Sequence, residues 1–393
     1  MYKTLLDQLL KKPQKKTLPS DLQEVFLQFF PKPTFPVIHI AGTNGKGSVA
    51  EKIFAAYVAT GKKVGLFTSP HITTYRERIR IGKNMISSEA FSSILQKIQE
   101  IQKSTSIELS FFTHLVFAAY SYFVEEKIDL AVIETGLGGR FDPTNMFDPI
   151  LSIITQIGYD HMEVLGGDLD SIAYEKAGII KKNTPVVLGP FARLPPIFAE
   201  AKAKNAPIIL SKSSSFASYM EENNGTAQAA LAYLGIDAGP AKKARPSCRF
   251  EILYDQVVLD VAHNDSGFSG LFQSLEKTFP EAFFRFVVAL SKNKVLRTPF
   301  PKKSHVCFAS FCHPKLATLE EMRPLQPLAS RSTFSSDFSA SLFEEAVKAQ
   351  KENAILVVAG SFYIMTKAKK QLSTLFGQPE KAGGIFSVDP AMK

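Results

Sequence analysis

The sequence predicts an α/β protein with two domains, each built on a parallel sheet. Three observations lead to this prediction. Short runs rich in Val and Ile alternate with longer amphipathic stretches, as buried strands alternate with helices. The chain has 393 residues, more than the usual size of one domain. A polar, proline-containing segment interrupts the pattern near residue 245, after which it starts again.

In the first domain, apolar runs that end in or beside Gly, Ser, Thr or an acid predict buried strands at 36–41, 63–69, 129–134, 150–155 and 185–188. Apolar residues at helical spacing predict helices at 47–60, 87–103 and 111–126. The composition then turns polar over 211–226, and a helix-like stretch follows at 226–235.

Residues 237–247 have the composition of a linker, and a second set of apolar runs follows them. These runs predict strands at 256–260, 284–290, 305–310 and 355–360, with helices between them. The segment 323–341 is rich in Ser and Pro and is predicted to be a surface loop. The second domain is therefore expected to be smaller than the first, with a boundary near residue 245.

The composition excludes several classes of protein. A hydrophobic content of 45% excludes a disordered chain, and no apolar run reaches the roughly 18 residues that cross a bilayer. The N-terminus lacks a signal-peptide pattern, and three cysteines give no disulfide framework, so we expect a cytoplasmic protein. The net charge of +9 suits nucleic acid or an enzyme acting on polyanions such as ATP. Because the lysines are scattered, we favour the enzyme and expect no nucleic-acid or membrane partner.

The motif with the most specific chemistry is a candidate phosphate-binding loop between a buried strand and a helix. Its glycines allow backbone N–H groups to face phosphates, the helix N-terminus adds positive charge, and a lysine can reach the β- and γ-phosphates. A glycine-rich turn without a ligand is the alternative. The residues of the loop are Gly42, Thr43, Asn44, Gly45, Lys46, Gly47 and Ser48.

Three polar residues follow the ends of three predicted strands. Ser69 and Glu134 close their strands, and His161 lies in the loop after the strand at 150–155. Because the carboxyl ends of parallel strands meet at one edge of a sheet, these side chains could converge on Mg²⁺ beside the nucleotide. Histidine is also common as a structural residue, so His161 as a ligand remains one of two alternatives.

Seven motifs together resemble the folate branch of the Mur ligase superfamily, which comprises folylpolyglutamate synthase and dihydrofolate synthase. In chain order they are HIAGTNGKGSVA, LFTSPHITTYRERIRI, LAVIETGLGGRFDPTN, ITQIGYDHMEVLGGDLDSIAYEKAGIIK, CRFE, VVLDVAHND and AGSFYIM. The resemblance implies a P-loop, Mur-ligase-like ATPase domain over 1–245, which also binds pteroate, and a smaller Rossmann-like glutamate-ligase domain over 246–393. It implies an ATP-dependent ligase that adds L-glutamate to dihydropteroate, to folates, or to both, through an acyl phosphate.

The resemblance also implies roles for individual residues. The loop binds the ATP phosphates, and Mg²⁺, with two ions expected, is held by Ser48, Ser69, Glu134 and His161. Lys176 falls at a position that the family carbamylates, and a monovalent cation remains open. Catalytic roles fall to Lys46, Lys176, Asp142 and His161. ATP also contacts Arg249 and Asp260, and the other substrates contact Arg76, Arg78, Asp142, His263 and Ser361.

The sequence departs from the family pattern at Thr113, Ser247, Cys248 and Asp265, which leaves the range of substrates open. Two other functions are weighed against the glutamate ligase. One is a Mur-type ligase that acts on a UDP-linked acceptor, and the other is a non-catalytic module that binds nucleotide or RNA. The partners expected are small molecules alone, and the chain is expected to be a monomer.

Overall fold

The computed structural model describes residues 2–10, 17–105, 107–212, 218–294 and 296–377. The chain divides into two compact units. The first comprises Met1–Ala217 and Glu221–Ala244, and the second comprises Ser218–Met220 and Arg245–Lys393. Within the described ranges, no helix combines the length and apolarity that a membrane span requires.

The first unit is built on a sheet that has eight strands within the described residues, in the order β4-β3-β2-β5-β1-β6-β7-β8. Strands β3 and β4 are antiparallel additions at one edge, and the other strands are parallel. The strands are β1 (Val37–Ala41), β2 (Val64–Phe67), β3 (Ile79–Ile81), β4 (Asn84–Met85), β5 (Leu130–Glu134), β6 (Leu151–Ile154), β7 (Val186–Leu188) and β8 (Ile208–Leu210). The ends of β2, β5, β1 and β6 are therefore adjacent.

Helices cover both faces of this sheet. They are α1 (Tyr2–Leu10), α2 (Pro19–Phe29), α3 (Lys46–Ala59), α4 (Ser88–Thr105), α5 (Phe111–Glu125), α6 (Met162–Leu165), α7 (Leu169–Ala177), α8 (Pro195–Ala203) and α9 (Tyr219–Tyr233). Side chains alternate along β1, so that Val37 packs with α1, α2, α4 and α5 while Ile38 and Ile40 pack with α3 and α9. Helices α7 and α8 cover the ends of β6 and β7.

A buried ion pair joins α3 to the antiparallel edge of the sheet. Arg80 on β3 donates to Glu51 on α3 at 2.5 Å, and each side chain is 7% exposed. The guanidinium carbon also lies 5.0 Å from the centre of the Phe54 ring. The pair thus fixes the helix that begins at the candidate phosphate loop.

We expect Arg80→Met to lower the free energy of unfolding by about 3–5 kcal/mol, because it leaves the Glu51 carboxylate buried without its cation. Urea unfolding of both proteins measures the difference. The double variant Glu51→Leu/Arg80→Met is the control, and it should recover much of the loss. A loss as large in the double variant as in Arg80→Met would show that the cost is one of packing.

The second unit has a six-stranded sheet within the described residues, in the order β13-β12-β11-β14-β10-β9. The strands are β9 (Glu251–Leu253), β10 (Val257–Asp260), β11 (Phe284–Ala289), β12 (Ser304–Ala309), β13 (Ser332–Ser335) and β14 (Ile355–Gly360). Its helices are α10 (Asp265–Thr278), α11 (Leu319–Met322), α12 (Phe338–Glu352) and α13 (Phe362–Phe376). Strand β9 is antiparallel to β10, and the remaining pairs are parallel.

The predicted α/β class is confirmed, and each strand predicted from an apolar run is present. The surface loop predicted at 323–341 is wrong. It contains a 3₁₀ helix at Arg323–Leu328, strand β13 and the start of α12. Strand β13 has a single neighbour and is partly exposed, so its sequence lacks the apolar run that a buried strand shows. Helix α9 begins at Tyr219, inside the polar stretch, and a 3₁₀ helix at Pro240–Lys243 lies in the predicted linker.

A buried ionic cluster lies beside the second sheet. Glu345 on α12 accepts from Arg285 at 2.7 Å and lies 3.3 Å from Nδ1 of His305. Burial raises the pKa of the Glu345 carboxyl, but His305 and Arg285 outweigh burial and lower this pKa to about 2. The cluster therefore favours the folded state above the ordinary carboxyl pKa of 4.5. This contribution is lost as the pH falls towards 2.

We expect Glu345→Gln to lower the free energy of unfolding at pH 7 by on the order of 3 kcal/mol. The difference from the wild type should shrink as the pH is lowered from 5 to 3. Urea titrations across this range make the measurement. Glu344→Gln is the control, since Glu344 is 65% exposed and pairs only with a surface lysine in the described contacts. A pH-independent loss in Glu345→Gln would exclude the electrostatic cause.

Candidate active site

The candidate phosphate loop is packed so closely that two of its positions require glycine. A Cβ on Gly42 would lie 2.0 Å from Oγ1 of Thr155, and one on Gly45 would lie 2.2 Å from Oδ1 of Asn223. Gly45 also has a φ of 86°, in the left-handed region. Helix α3 begins directly after it, at Lys46. Glycine therefore allows the turn that leads from β1 into the N-terminus of α3.

The segment after β6 holds this loop in place. The Thr43 amide donates to the Gln156 carbonyl at 2.7 Å, and the Thr43 hydroxyl donates to the Gly158 carbonyl at 3.0 Å. The Thr155 hydroxyl donates to the Asn44 carbonyl at 2.6 Å. These bonds tie the loop to the segment after β6, so the backbone of the loop is preorganised.

Two lysine ammonium groups meet at one carbonyl of the loop. Lys46 donates to Gly42 O at 3.0 Å and to Thr43 O at 3.2 Å, while Lys176 on α7 donates to Gly42 O at 2.9 Å. Burial and the charge of Lys46 lower the pKa of Lys176 to about 7, against the opposing effect of Asp160 and other acids. The loop therefore carries the positive charge of Lys46. The Lys176 amine that contacts it is partly neutral near pH 7.

Glu134 lies at the same edge of the sheet. Its Oε2 accepts from the Ser69 amide at 3.0 Å, and it would lie 3.3 Å from a Cβ on Gly47. Ser48 is buried in the first turn of α3. The structure thus brings Glu134 together with the Ser69 backbone and the start of α3. Carboxylate and hydroxyl oxygens are the ligands that Mg²⁺ prefers, so these residues fit a magnesium ion.

His161 is placed differently from the other three predicted ligands. Its φ is 52°, its side chain is 46% exposed, and its ring nitrogens lie 3.9 Å from Asp160 and 3.7 Å from Glu163. Within the described ranges, no three His, Cys, Asp or Glu side chains form a group that could hold a metal ion. The role of His161 as a ligand therefore stays a prediction.

Asp142 is 3% exposed and organises the loop after β5. Its carboxylate accepts from the Leu137 amide at 2.8 Å and from the Thr144 amide at 3.0 Å, and it caps the 3₁₀ helix Pro143–Met146. Burial raises its pKa, and these hydrogen bonds oppose the rise. A direct contact of Asp142 with substrate stays a prediction, since the bonds described here position the loop.

The predicted arginines lie in the segment that leads into β3. Nε of Arg76 donates to the Ile86 carbonyl at 2.6 Å, and Nε of Arg78 donates to Nδ1 of His71 at 2.9 Å. The His71 ring is held by this bond, and burial and the Arg78 charge lower its pKa to about 3. The sequence analysis did not identify His71 as a functional residue, although it lies in the quoted SPH motif.

In the second unit, Asp260 is buried at the end of β10. It accepts from the Tyr219 hydroxyl at 2.8 Å and from the amides of Phe250 and Ala262 at 2.7 Å each. Burial raises its pKa, and the Arg249 charge and these donors oppose the rise. The guanidinium of Arg249 lies 5.2 Å from the ring centre of Phe362. The Asp260 carboxyl is thus held by the Tyr219 hydroxyl and by two backbone amides, and the Arg249 charge acts on it.

His263 and Ser361 follow two neighbouring strands, β10 and β14. Nδ1 of His263 lies 2.8 Å from the Val261 carbonyl. Ser361 caps α13 and lies 2.8 Å from the hydroxyl of Ser291. The ring of His263 lies 5.9 Å from that of Phe362, the first residue of α13.

The departures from the family pattern have local structural roles. Asp265 accepts from the amides of Arg297 and Thr298, and Thr113 bonds the hydroxyl of Ser110 at the start of α5. The Cys248 amide donates to Glu251, and Ser247 donates to the same carboxylate. These contacts show how the chain folds there and do not define the range of substrates.

The sequence analysis missed three residues that shape the site, namely Thr155, Asn223 and Tyr219. The position of Thr155 at the end of β6 was a usable signal, because the end of β6 is adjacent to the loop. Asn223 and Tyr219 lie on α9, whose start falls in a polar stretch that showed no helical pattern. No signal in the sequence places either residue.

Known proteins are similar to this chain in sequence and in fold. A strand, a glycine-rich loop with lysine and a helix N-terminus, joined by an acid from the adjacent strand, are typical of a nucleotide-binding enzyme. The Mur ligase middle domain matches residues 40–228, which gives the class as a Mur-type ligase. Dihydrofolate synthase/folylpolyglutamate synthase of Bacillus subtilis is 30% identical over 87% of this chain and 91% of its own length. The chain belongs to this dihydrofolate synthase/folylpolyglutamate synthase family, and it is a ligase.

Solved structures agree with this assignment. A bifunctional folylpolyglutamate synthase/dihydrofolate synthase with Mn, AMPPNP and L-glutamate bound is 26% identical, with a TM-score of 0.77 over 93% of this chain and 97% of that one. Escherichia coli FolC in complex with DHPP and ADP has the same fold, with 23% identity and a TM-score of 0.80 over 95% of this chain and 97% of that one. The resemblance inferred from the motifs is confirmed.

Proposed function

We propose that this ligase uses ATP to join L-glutamate to 7,8-dihydropteroate and to reduced folates, releasing ADP and phosphate. The observation that carries the proposal is the convergence of Lys46 and Lys176 on the Gly42 carbonyl, at 3.0 and 2.9 Å, in a loop that Glu134 adjoins. The Lys46 ammonium, the partly neutral Lys176 amine and the Glu134 carboxylate at a helix N-terminus suit the transfer of a phosphoryl group rather than simple storage of a nucleotide.

The chemistry explains why phosphate binding matters. A carboxylate is a poor electrophile, so the γ-phosphoryl group of ATP is first transferred to an oxygen of the acceptor carboxylate. The amine of glutamate then attacks the carbonyl carbon, and phosphate leaves as the amide forms. Phosphoryl transfer requires positioning and neutralisation of charge, which Lys46 and the loop amides provide. No nucleophilic side chain of the enzyme is needed.

The residues that would hold Mg²⁺ are Ser48, Ser69, Glu134 and His161, with a second ion close to Lys176. Bound Mg²⁺ neutralises charge on the phosphates. Glu134 suits this role because its carboxylate is held by the Ser69 amide beside the start of α3. A requirement for a monovalent cation is left to experiment.

Lys176 is proposed to carry a carbamate. Its neutral amine attacks the carbon of CO₂, a C–N bond forms, and a proton is released to solvent. The support is the lowered pKa of about 7, which burial causes first and the charge of Lys46 second. The modification replaces a cation next to Gly42 with an anion that can orient a metal ion.

The remaining residues are assigned to substrates. We assign ATP and pteroate binding to residues 1–245, with Arg76, Arg78 and Asp142 at the acceptor, and glutamate ligation to residues 246–393. In that second domain, Arg249 and Asp260 bind nucleotide, and His263 and Ser361 bind glutamate. The support for this assignment is that the Arg249 charge acts on the buried Asp260 carboxyl. The enzyme is proposed to act as a monomer in the cytoplasm, on small molecules alone.

One incubation tests the proposal. The protein is mixed with ATP, Mg²⁺ and labelled glutamate, divided among dihydropteroate, tetrahydrofolate and a UDP-muramoyl acceptor, and the products are read by mass. We expect one glutamate added to dihydropteroate and to tetrahydrofolate, with ADP formed in step. Product from the UDP-linked acceptor alone would assign another Mur-type reaction. Absence of ATP turnover, together with RNA binding that weakens steeply with salt, would favour the binding module.

A further inference from the structure

A chain of hydrogen bonds connects the middle of β1 to the loop after β5. Nε2 of His39 lies 2.8 Å from the hydroxyl of Thr144, and that hydroxyl donates to Oδ1 of Asp142 at 2.5 Å. His39, Thr144 and Asp142 are all almost fully buried. His39 lies on the strand that ends at the phosphate loop, and Asp142 organises the loop that follows Glu134. The proposed function uses Asp142 but gives His39 and Thr144 no role.

The direction of the protons in this chain follows from the acceptor at its end. Oδ1 of Asp142 accepts from the Thr144 amide, and the Thr144 hydroxyl donates to the same oxygen. The same hydroxyl oxygen can then accept from His39, which places the imidazole proton on Nε2. Nδ1 is left as a bare lone pair, and it is buried with no hydrogen-bond partner among the described residues. A buried acceptor without a partner is tolerated better than a buried N–H donor without one.

Burial and a nearby charge keep the His39 imidazole neutral. Burial and the charge of Lys181 lower the pKa of His39 to about 3. On the other side of the chain, Tyr120 and Lys176 are the titratable groups that interact with the Asp142 charge. Burial raises the pKa of Asp142, and the hydrogen bond from Thr144 is the first of the bonds that oppose the rise. The Thr144 hydroxyl therefore favours the ionised form of Asp142.

We propose that His39 is a positioning residue for the ligation reaction, acting through Thr144 to favour the carboxylate form of Asp142 and to hold its loop fixed beside Glu134. Loss of the Nε2 donor removes one of the two side-chain partners of the Thr144 hydroxyl, which then holds the Asp142 carboxyl less firmly. Because the loop lies next to Glu134, the effect falls on the acceptor side of the site. The consequence for catalysis rests on the proposed function, whereas the tautomer of His39 does not.

The variants His39→Leu and His39→Gln separate this role from packing. Leucine fills space without a donor, while glutamine can place an N–H close to the position of Nε2. We expect His39→Leu to lower kcat/KM for dihydropteroate by about tenfold or more, and His39→Gln to retain most of it. The acid limb of the pH profile should move to higher pH in His39→Leu, because Asp142 loses a donor to its ionised form.

His114→Leu is the matched control, since His114 is a second fully buried histidine of the same unit, on α5, whose Nδ1 lies 2.8 Å from the Ser110 carbonyl. The acid limb of the pH profile of His114→Leu should lie at the same pH as in the wild type, whatever the stability of the variant. An unmoved acid limb in His39→Leu, or glutamine no better than leucine, would overturn the positioning role. Thr144→Val should reproduce His39→Leu, and the double variant should cost little more than either alone.

Nuclear magnetic resonance of the ¹⁵N-labelled wild type tests the chain without substrate and without any variant. We expect His39 to show a protonated Nε2 and a bare Nδ1 from pH 6 to 8. A proton on Nδ1, or an imidazolium in this range, would contradict the proposal even if ligation proceeds. A wild type that shows the expected tautomer but joins no glutamate to a pteroate would instead refute the proposed function alone.

Discussion

Replacing Lys46 with alanine is expected to lower the rate of ligation by about a thousandfold or more while leaving the fold intact. Lys46 is the first residue of α3, and its ammonium is held at the mouth of the loop by the carbonyls of Gly42 and Thr43. An ammonium in this place neutralises charge that grows on the transferring phosphoryl group, and alanine leaves that charge uncompensated. Labelled glutamate incorporated per minute gives the rate.

The control for this prediction is Lys103→Ala, which removes an exposed lysine from α4 in the same unit. It should ligate at the wild-type rate, and both variants should unfold at similar urea concentrations. Lys46→Arg is informative as well, because the larger, planar guanidinium does not fit the position that the ammonium takes between the Gly42 and Thr43 carbonyls. Near wild-type ligation by Lys46→Ala would remove the assignment of Gly42–Ser48 as the phosphate loop.

The second large effect is expected at Lys176. Lys176→Ala should lose most of the ligation rate, and a short carboxylic acid such as acetate should restore part of it by entering the space that the side chain leaves. The physical reason is the lowered pKa of about 7, which leaves about half of the amine neutral near pH 7. An ordinary lysine of pKa 10.5 would be neutral in only about 3 of 10⁴ molecules at that pH.

The pH dependence has a definite sign. Only the neutral amine reacts with CO₂, so activation of the wild type by added bicarbonate should weaken as the pH falls through about 7. A ¹³C signal from labelled CO₂ should be present in the wild type and absent from Lys176→Ala. Lys182→Ala is the control, because Lys182 also follows α7 closely and is exposed. It should ligate normally and ignore acetate.

Full activity in Lys176→Ala, with no ¹³C signal in the wild type, would end the carbamate proposal. Full activity with a ¹³C signal would show a carbamate that ligation does not use. Loss of activity without any signal and without rescue would instead assign Lys176 to the loop, where its cation holds the Gly42 carbonyl.

Strong local signals explain why so much of the fold could be predicted. The strands β1, β5, β6 and β7 are buried on both faces, so their sequences are continuous apolar runs with clear ends. Sequence analysis missed the edge strand β8, which is apolar but only three residues long. The edge strands β4 and β13 are partly or largely exposed and show no such run, so sequence analysis missed them as well. The loop predicted at 323–341 was wrong for the same reason.

The candidate site also has a part that the sequence predicted and a part that it did not. Gly42 to Lys46 are consecutive residues. The sequence predicts their loop because a turn of this kind requires glycine. The contacts that other segments of the chain make with this loop could not be predicted from the sequence. The bond of Thr155 to Asn44 joins residues 111 positions apart, and that of Lys176 to Gly42 joins residues 134 positions apart. Asn223 packs against Gly45 from a helix that showed no pattern.

The sequence by itself determined the α/β class, the order of the buried strands, the phosphate loop and the family. These features depend on neighbouring residues, whose periodicity and conformational freedom are properties of the local chain. The tertiary structure alone decided which distant groups meet, as where Lys46 and Lys176 both contact the Gly42 carbonyl and where the Thr144 hydroxyl lies between His39 and Asp142. Burial and the charge of a distant neighbour set the protonation of Lys176 and of His39, and neither quantity exists until the sheet is assembled.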